Sequence, residues 1–122
     1  MGWMVKEQPM KKILPLAILA LIMGGHPSLA EEPQSGKAWK PVKANALILA
    51  ENGNLLTFRG PKGDDATEWI ALATELREQG RRVYQAAKKR NYPQARAAMK
   101  SFTESCNACH HRFADGEHLQ SP

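Results

Sequence analysis

Cys106 and Cys109, followed at once by His110 in Cys106-Asn107-Ala108-Cys109-His110, are the residues whose types and spacing carry chemistry. Two thiols three residues apart share one face of a helix, where each can form a thioether with a haem vinyl group. The adjoining imidazole can then turn onto the iron as its axial ligand. The expectation is one covalently attached haem c per chain, anchored by Cys106 and Cys109, with His110 as the metal ligand. Three rival chemistries compete. A disulfide between the only two cysteines would close a loop too short to remove much unfolded-state entropy. A thioredoxin-like dithiol wants a helix start after a strand, and no strand pattern precedes these residues. A zinc site on both thiolates would draw two of His110, His111 and His118, but zinc pairs of this type use a separate histidine pair about twelve residues on.

The N-terminal stretch points to a compartment. Met1 to Ala30 reads as an export signal: Lys6, Lys11 and Lys12 precede the apolar run Ile13 to Met23, and Ser28-Leu29-Ala30 supplies small residues at a cleavage site after Ala30. The run has eleven residues and includes Pro15, whereas a spanning helix needs about 20 apolar residues, so no permanent membrane span is expected. An uncleaved, membrane-tethering N-terminus is the alternative. Export to the periplasm agrees with the haem reading, because c-type haem is attached outside the bacterial inner membrane; an exported chain could equally carry a disulfide.

Removing those thirty residues leaves 92, from 31 to 122, enough for one domain with a modest core. Lys6, Lys11 and Lys12 are three of the seventeen cations and Glu7 one of the twelve acids, so the remainder carries a net +3. Haem propionates would lower that further, which leaves no case for a nucleic-acid binder. Arg81, Arg82, Lys88, Lys89 and Arg90 form a local basic stretch, either the solvated face of a helix or a docking patch for an acidic redox partner.

The elements that must position the thiols follow from apolar spacing. Glu31 to Gly36 reads as a loose lead-in. Trp39, Val42, Ala46, Leu49 and Ala50 describe the buried stripe of a first helix, which weakens at Asn52-Gly53-Asn54 and could be extended by Leu55, Leu56 and Phe58. Arg59-Gly60-Pro61-Lys62-Gly63 is a break. Asp65 and Glu68 fit a capping box, in which each carboxylate satisfies a free first-turn amide. Trp69, Leu72, Ala73, Leu76, Val83 and Ala87 then run a second helix to about Arg90, with Gly80 tolerable where close packing needs a missing side chain. Asn91-Tyr92-Pro93 closes it and opens a third, since proline suits a first turn where its missing amide is not needed. Ala95, Met99, Phe102, Cys106, Cys109 and Phe113 alternate steps of four and three, so both thiols fall on the core stripe. After Ala114 the tail should fray. No strand alternation or repeat is present, so the fold class is all-α.

From Trp39 to Phe113, and most strongly from Asp65 onward, the chain resembles the class II cytochrome c family, the group that includes cytochrome c′. The likeness rests on Glu104-Ser105-Cys106-Asn107-Ala108-Cys109-His110-His111-Arg112-Phe113, with an aromatic three residues after the ligand. It implies an antiparallel helical bundle of the four-helix type with the haem motif near the end of the last helix, and a packing role against haem for Phe113. Class I cytochromes c place the motif near the N-terminus and draw a methionine from well downstream, whereas the twelve residues after His110 contain none. Two departures stand out. Three long helices are visible rather than four, the absentee being the first, and Ala114 stands where the family tends to carry a basic residue.

The sixth iron ligand decides between electron carriage and gas binding. Met99 precedes His110 by eleven residues, about 16 Å along a helix, so it cannot swing to the opposite face of the iron and reads as core. His111 points about 100° away from His110, and His118 would have to fold back from the tail. The expectation is five-coordinate iron under an apolar lid of Leu49, Trp69 and Leu72. Trp39, Trp69, Tyr84 and Phe102 read as core aromatics. The leading reading is thus a periplasmic haem protein for single-electron transfer or diatomic gas binding. An enzyme that reduces a small oxidant is the alternative, though no distal acid–base residue is placed for it. A haem-free thiol–disulfide protein is the third. An uncovered bundle face would favour a homodimer.

Overall fold

A computed structural model describes residues 29–117 and contains, among them, three helices and no strand. They are α1 (Gly36–Leu56), α2 (Ala66–Lys88) and α3 (Tyr92–Phe113). The expected export signal lies outside the described residues except for Leu29 and Ala30, as does His118. No helix among the described residues is long and apolar enough to cross a membrane.

The first helix begins three residues before Trp39, because the Ser35 side chain accepts from the Ala38 amide at 3.1 Å and satisfies one free donor of the opening turn. It also runs unbroken through Asn52-Gly53-Asn54 to Leu56, leaving Phe58 outside the helix and 83% exposed. Gly53 explains the continuity. A Cβ there would sit 2.7 Å from the Arg77 amide nitrogen and 2.9 Å from its Cα, so the absent side chain is what lets α1 lie against α2. Gly80 does the same from α2, where a Cβ would meet the Ala50 backbone nitrogen at 2.8 Å. The expected close packing at Gly80 is therefore present. The residue pairing runs in opposite directions along the two chains, so α1 and α2 are antiparallel.

The connection from α2 to α3 is three residues long. Asn91 donates to the Ala86 carbonyl and Arg90 to the Ala87 carbonyl, each at 3.0 Å, which is the double bond pattern that ends a helix on a left-handed residue. Arg90 holds that conformation, with φ +53°, where glycine is usual. Asn91 then starts α3 directly, its side chain accepting from the Gln94 amide at 3.1 Å. One asparagine thus terminates one helix and caps the next.

Two apolar clusters follow. Trp39, Val42, Ala86, Ala87 and Ala95 gather at the end near this turn, and Leu29 joins them, 5% exposed. The Tyr92 hydroxyl donates to the Leu29 carbonyl at 2.9 Å and to that of Ala30 at 3.2 Å. Ahead of α1, the chain is therefore pinned at Leu29. Ala46, Leu76, Val83 and Phe102 form the second cluster, with Leu49, Leu56, Tyr84, Met99 and Cys106 half-buried against it. Trp39 and Phe102 are core, as expected, and Met99 packs on both clusters. Both outer helices pack along α2, while α1 and α3 have no Cα pair within 8 Å of one another. In a square four-helix arrangement they would occupy opposite corners.

Candidate functional site

Cys106, Cys109 and His110 lie in the last two turns of α3, all partly buried, and both cysteines are free. Phe102, one turn before Cys106, is 2% exposed and fixes the stripe on which the thiols stand. Burial, then the neighbouring Cys109, pushes the Cys106 thiol up to about 11, against a partial lowering by a backbone hydrogen bond. Burial also raises Cys109. Both thiols therefore stay protonated at neutral pH.

The backbone beneath His110 is fixed by the tail. The His110 carbonyl accepts from Ala114 at 2.9 Å and from Gly116 at 3.0 Å, and Glu117 donates to Ala114 at 2.8 Å. Asp115 and Gly116 take φ of +50° and +76°, which turns the chain back under the helix end. The amides of Gly116 and Glu117, in the stretch expected to fray, both have backbone partners.

The expected capping box does not form. Asp65 makes no side-chain cap hydrogen bond to α2; its Oδ1 accepts from Arg112 Nη2 at 2.6 Å, and Glu68 Oε2 accepts from Arg112 Nε at 2.8 Å. Both carboxylates at the start of α2 are turned instead onto one guanidinium fork, in two charge-assisted bonds that join α2 to α3. These bonds hold the Arg112 guanidinium above its ordinary range. Next to them the Phe113 ring meets Trp69 edge-on, with centroids 5.1 Å apart, and lies 4.7 Å below the Arg112 guanidinium carbon. Trp69 itself donates from Nε1 to the Leu56 carbonyl at 2.6 Å and covers Gly60, where a Cβ would strike its ring. The start of α2, the end of α1 and the last turn of α3 are tied at one point.

The sequence-predicted residues are therefore partly assembled. Cys106 and Leu49 flank one apolar cluster, with Leu56 beside them. Phe113 and Trp69 pair with each other, so Trp69 is committed to the α3 terminus and to the Leu56 carbonyl. Leu72 is half-buried, and Met99 is occupied in the core. His111 is exposed. The Arg112 fork and the Gly60 seat were not foreseen; an acid pair and an arginine forty-odd residues apart leave no periodic signal. Among the described residues, no three of His, Cys, Asp and Glu gather as a metal-ligating group.

A single-ligand iron centre held by thioethers asks for two free thiols on one face beside an apolar wall, and an imidazole with a fixed backbone. The residues present fit that demand. Comparison with models of protein families, with curated proteins and with solved structures finds no match to this chain.

Proposed function

We propose that this chain is an exported c-type haem protein of the class II cytochrome kind, working in the periplasm as a single-electron carrier or a binder of diatomic gases. The observation that supports the reading is the pair of free, partly buried thiols of Cys106 and Cys109 three residues apart on α3, Cys106 against an apolar cluster, with His110 next in sequence. Cys106 and Cys109 would hold one haem through thioether bonds, and His110 would ligate its iron. When bound, that group supplies a reversible one-electron couple and a site for small ligands.

The chain's own residues set the surroundings. Leu49 and Leu56 present aliphatic surface to the cluster that Cys106 joins, which keeps water from this wall. Trp69 and Phe113 brace the last turn, and Arg112 locks it to Asp65 and Glu68. Among the described residues, Met99 is packed in the core and His111 faces solvent, so the reading draws no second ligand from either. The reading accordingly has five-coordinate iron. A second copy is the cover it assigns to Leu47, Ile48, Leu55 and Ile70, all about half exposed, and to Phe58.

A thiol–disulfide role is disfavoured by the thiols themselves. Reactive dithiols sit at helix N-termini, where the dipole lowers their pKa; these sit at a C-terminus and are raised.

The test is the mass and colour of the chain purified from the periplasm. A mass equal to polypeptide plus one haem, an alkaline pyridine spectrum that stays with the denatured chain, and carbon monoxide uptake by the reduced protein are expected. A colourless chain of polypeptide mass would overturn the reading, and a low-spin reduced spectrum of the monomer would overturn its five-coordinate part.

A further inference from the structure

On the far side of α2 from its α1 contact, α2 and α3 leave a cleft of about 380 Å³. Its two walls differ in chemistry. From α3 come Ala97, Ala98 and Ser101, side chains too small to fill the space, and from α2 come Arg81, Arg82 and Lys89. No carboxylate lines it. Arg81 has a distant partner in Glu78, at 3.8 Å, whereas neither Arg82 nor Lys89 forms an ion pair with a described residue. Seven residues separate those two, about 10 Å along the helix axis. The expected basic stretch is thus more than a solvated face, because part of it borders a concavity.

Gln79 sits behind this cleft and takes no part in holding an anion. It is 6% exposed and donates from Nε2 to Glu75, while its buried Oε1 has no partner among the described residues. A buried amide oxygen without a donor costs free energy until water supplies one. The cleft therefore combines separated positive charges with a small-residue floor.

We propose that this cleft binds a small organic or inorganic anion carrying at least two phosphate or carboxylate groups. Arg82 and Lys89 take the two charged ends, and the alanines admit the body of the ligand close to the α3 backbone. An acidic protein would instead want a flat or convex cationic surface, and would use Lys88 and Lys100 outside the cleft as readily as Arg82 within it. The site does not depend on the haem reading, since it stands toward the opposite end of α3 from Cys106.

Isothermal titration of the full exported chain, purified with whatever group it carries, tests this with two probes at 0.1 M chloride: citrate for carboxylates and pyrophosphate for phosphates. Saturable binding of one or both is expected. It should weaken about tenfold or more in Arg82→Gln/Lys89→Gln, as loss of two charge-assisted contacts requires. Arg59→Gln/Lys62→Gln removes equal charge from the connection before α2, about 20 Å along the helix axis from the cleft, and should leave affinity within about twofold, because screened charges beyond a Debye length contribute little. Ala97→Leu keeps every charge but fills the floor; Ala97 is exposed, so thermal stability should hold while binding is lost. Equal weakening by both charge pairs, indifference to Ala97→Leu, or no saturable heat would overturn the proposal. So would tighter binding of an oligoglutamate than of either probe, which would make the face a docking surface for an acidic protein.

Discussion

Replacing Gly80 with alanine should destabilise the fold, although helix propensity alone gives the opposite sign. In an exposed helix interior the change would add about 1 kcal/mol of stability. Here the new Cβ would stand 2.8 Å from the Ala50 nitrogen, 2.9 Å from its Cα and 3.1 Å from its Cβ. Two of those three atoms are backbone and cannot turn aside, so α1 and α2 must separate. Overpacking of this sort costs about 1–3 kcal/mol, and the propensity gain offsets only part of it. A net loss of about 1 kcal/mol corresponds to a fall in Tm of about 4–8 °C for a domain this size. Gly53→Ala meets the Arg77 backbone in the same interface and should behave alike. Once one substitution has parted the helices, the second finds its clash relieved, so the double variant should lose less than the two single losses combined. Urea and thermal unfolding of the four proteins measure all of this. A rise in Tm for Gly80→Ala, or strict additivity with Gly53→Ala, would refute the argument.

Further consequences are open to measurement. Arg90→Gly relieves a left-handed backbone at a non-glycine residue and should raise stability by about 1 kcal/mol in urea unfolding. In chain made without haem, Cys106 should alkylate about 100-fold more slowly than an unperturbed thiol at pH 8, because its proton is held from 9.0 up to about 11 and only the thiolate attacks; the rate should recover as pH rises toward 11. Trp69→Phe keeps the ring on Phe113 but removes the donor to the Leu56 carbonyl, a loss of about 1 kcal/mol in thermal unfolding. Tyr92→Phe should cost about 1 kcal/mol in chain beginning at Leu29 and nothing in chain beginning at Glu31, since its hydroxyl partners are the carbonyls of residues 29 and 30.

What could be read before the structure was whatever repeats with the turn of a helix. Trp39, Val42, Ala46 and Ala50 mark α1, and Ala95, Met99, Phe102 and Cys106 mark α3, because burial on one face imposes that spacing directly. That the two cysteines would share one helix was legible for the same reason, their interval of three being a helical one. Contacts between distant elements were not. Asp65 and Glu68 carry the letters of a capping box, yet both carboxylates turn to a cation from α3, and nothing near them in sequence announces Arg112. Gly53 looked like a weak point in α1 because propensity counts only the helix itself; against α2 it is a requirement. Leu29 fell inside the expected export signal, and its seat among Trp39, Ala86 and Ala95 depends on a fold that composition cannot display.

The backbones of α1 and α3 keep more than 8 Å apart between Cα atoms, yet side chains from both enter the same two apolar clusters on α2. Leu49 from α1 and Cys106 from α3 both press on the cluster of Ala46, Leu76, Val83 and Phe102, while Gly53, Gly80 and the three-residue turn at Arg90 fix where the outer helices lie on α2. A change of volume at Leu49 or Cys106 is therefore felt by all three helices at once.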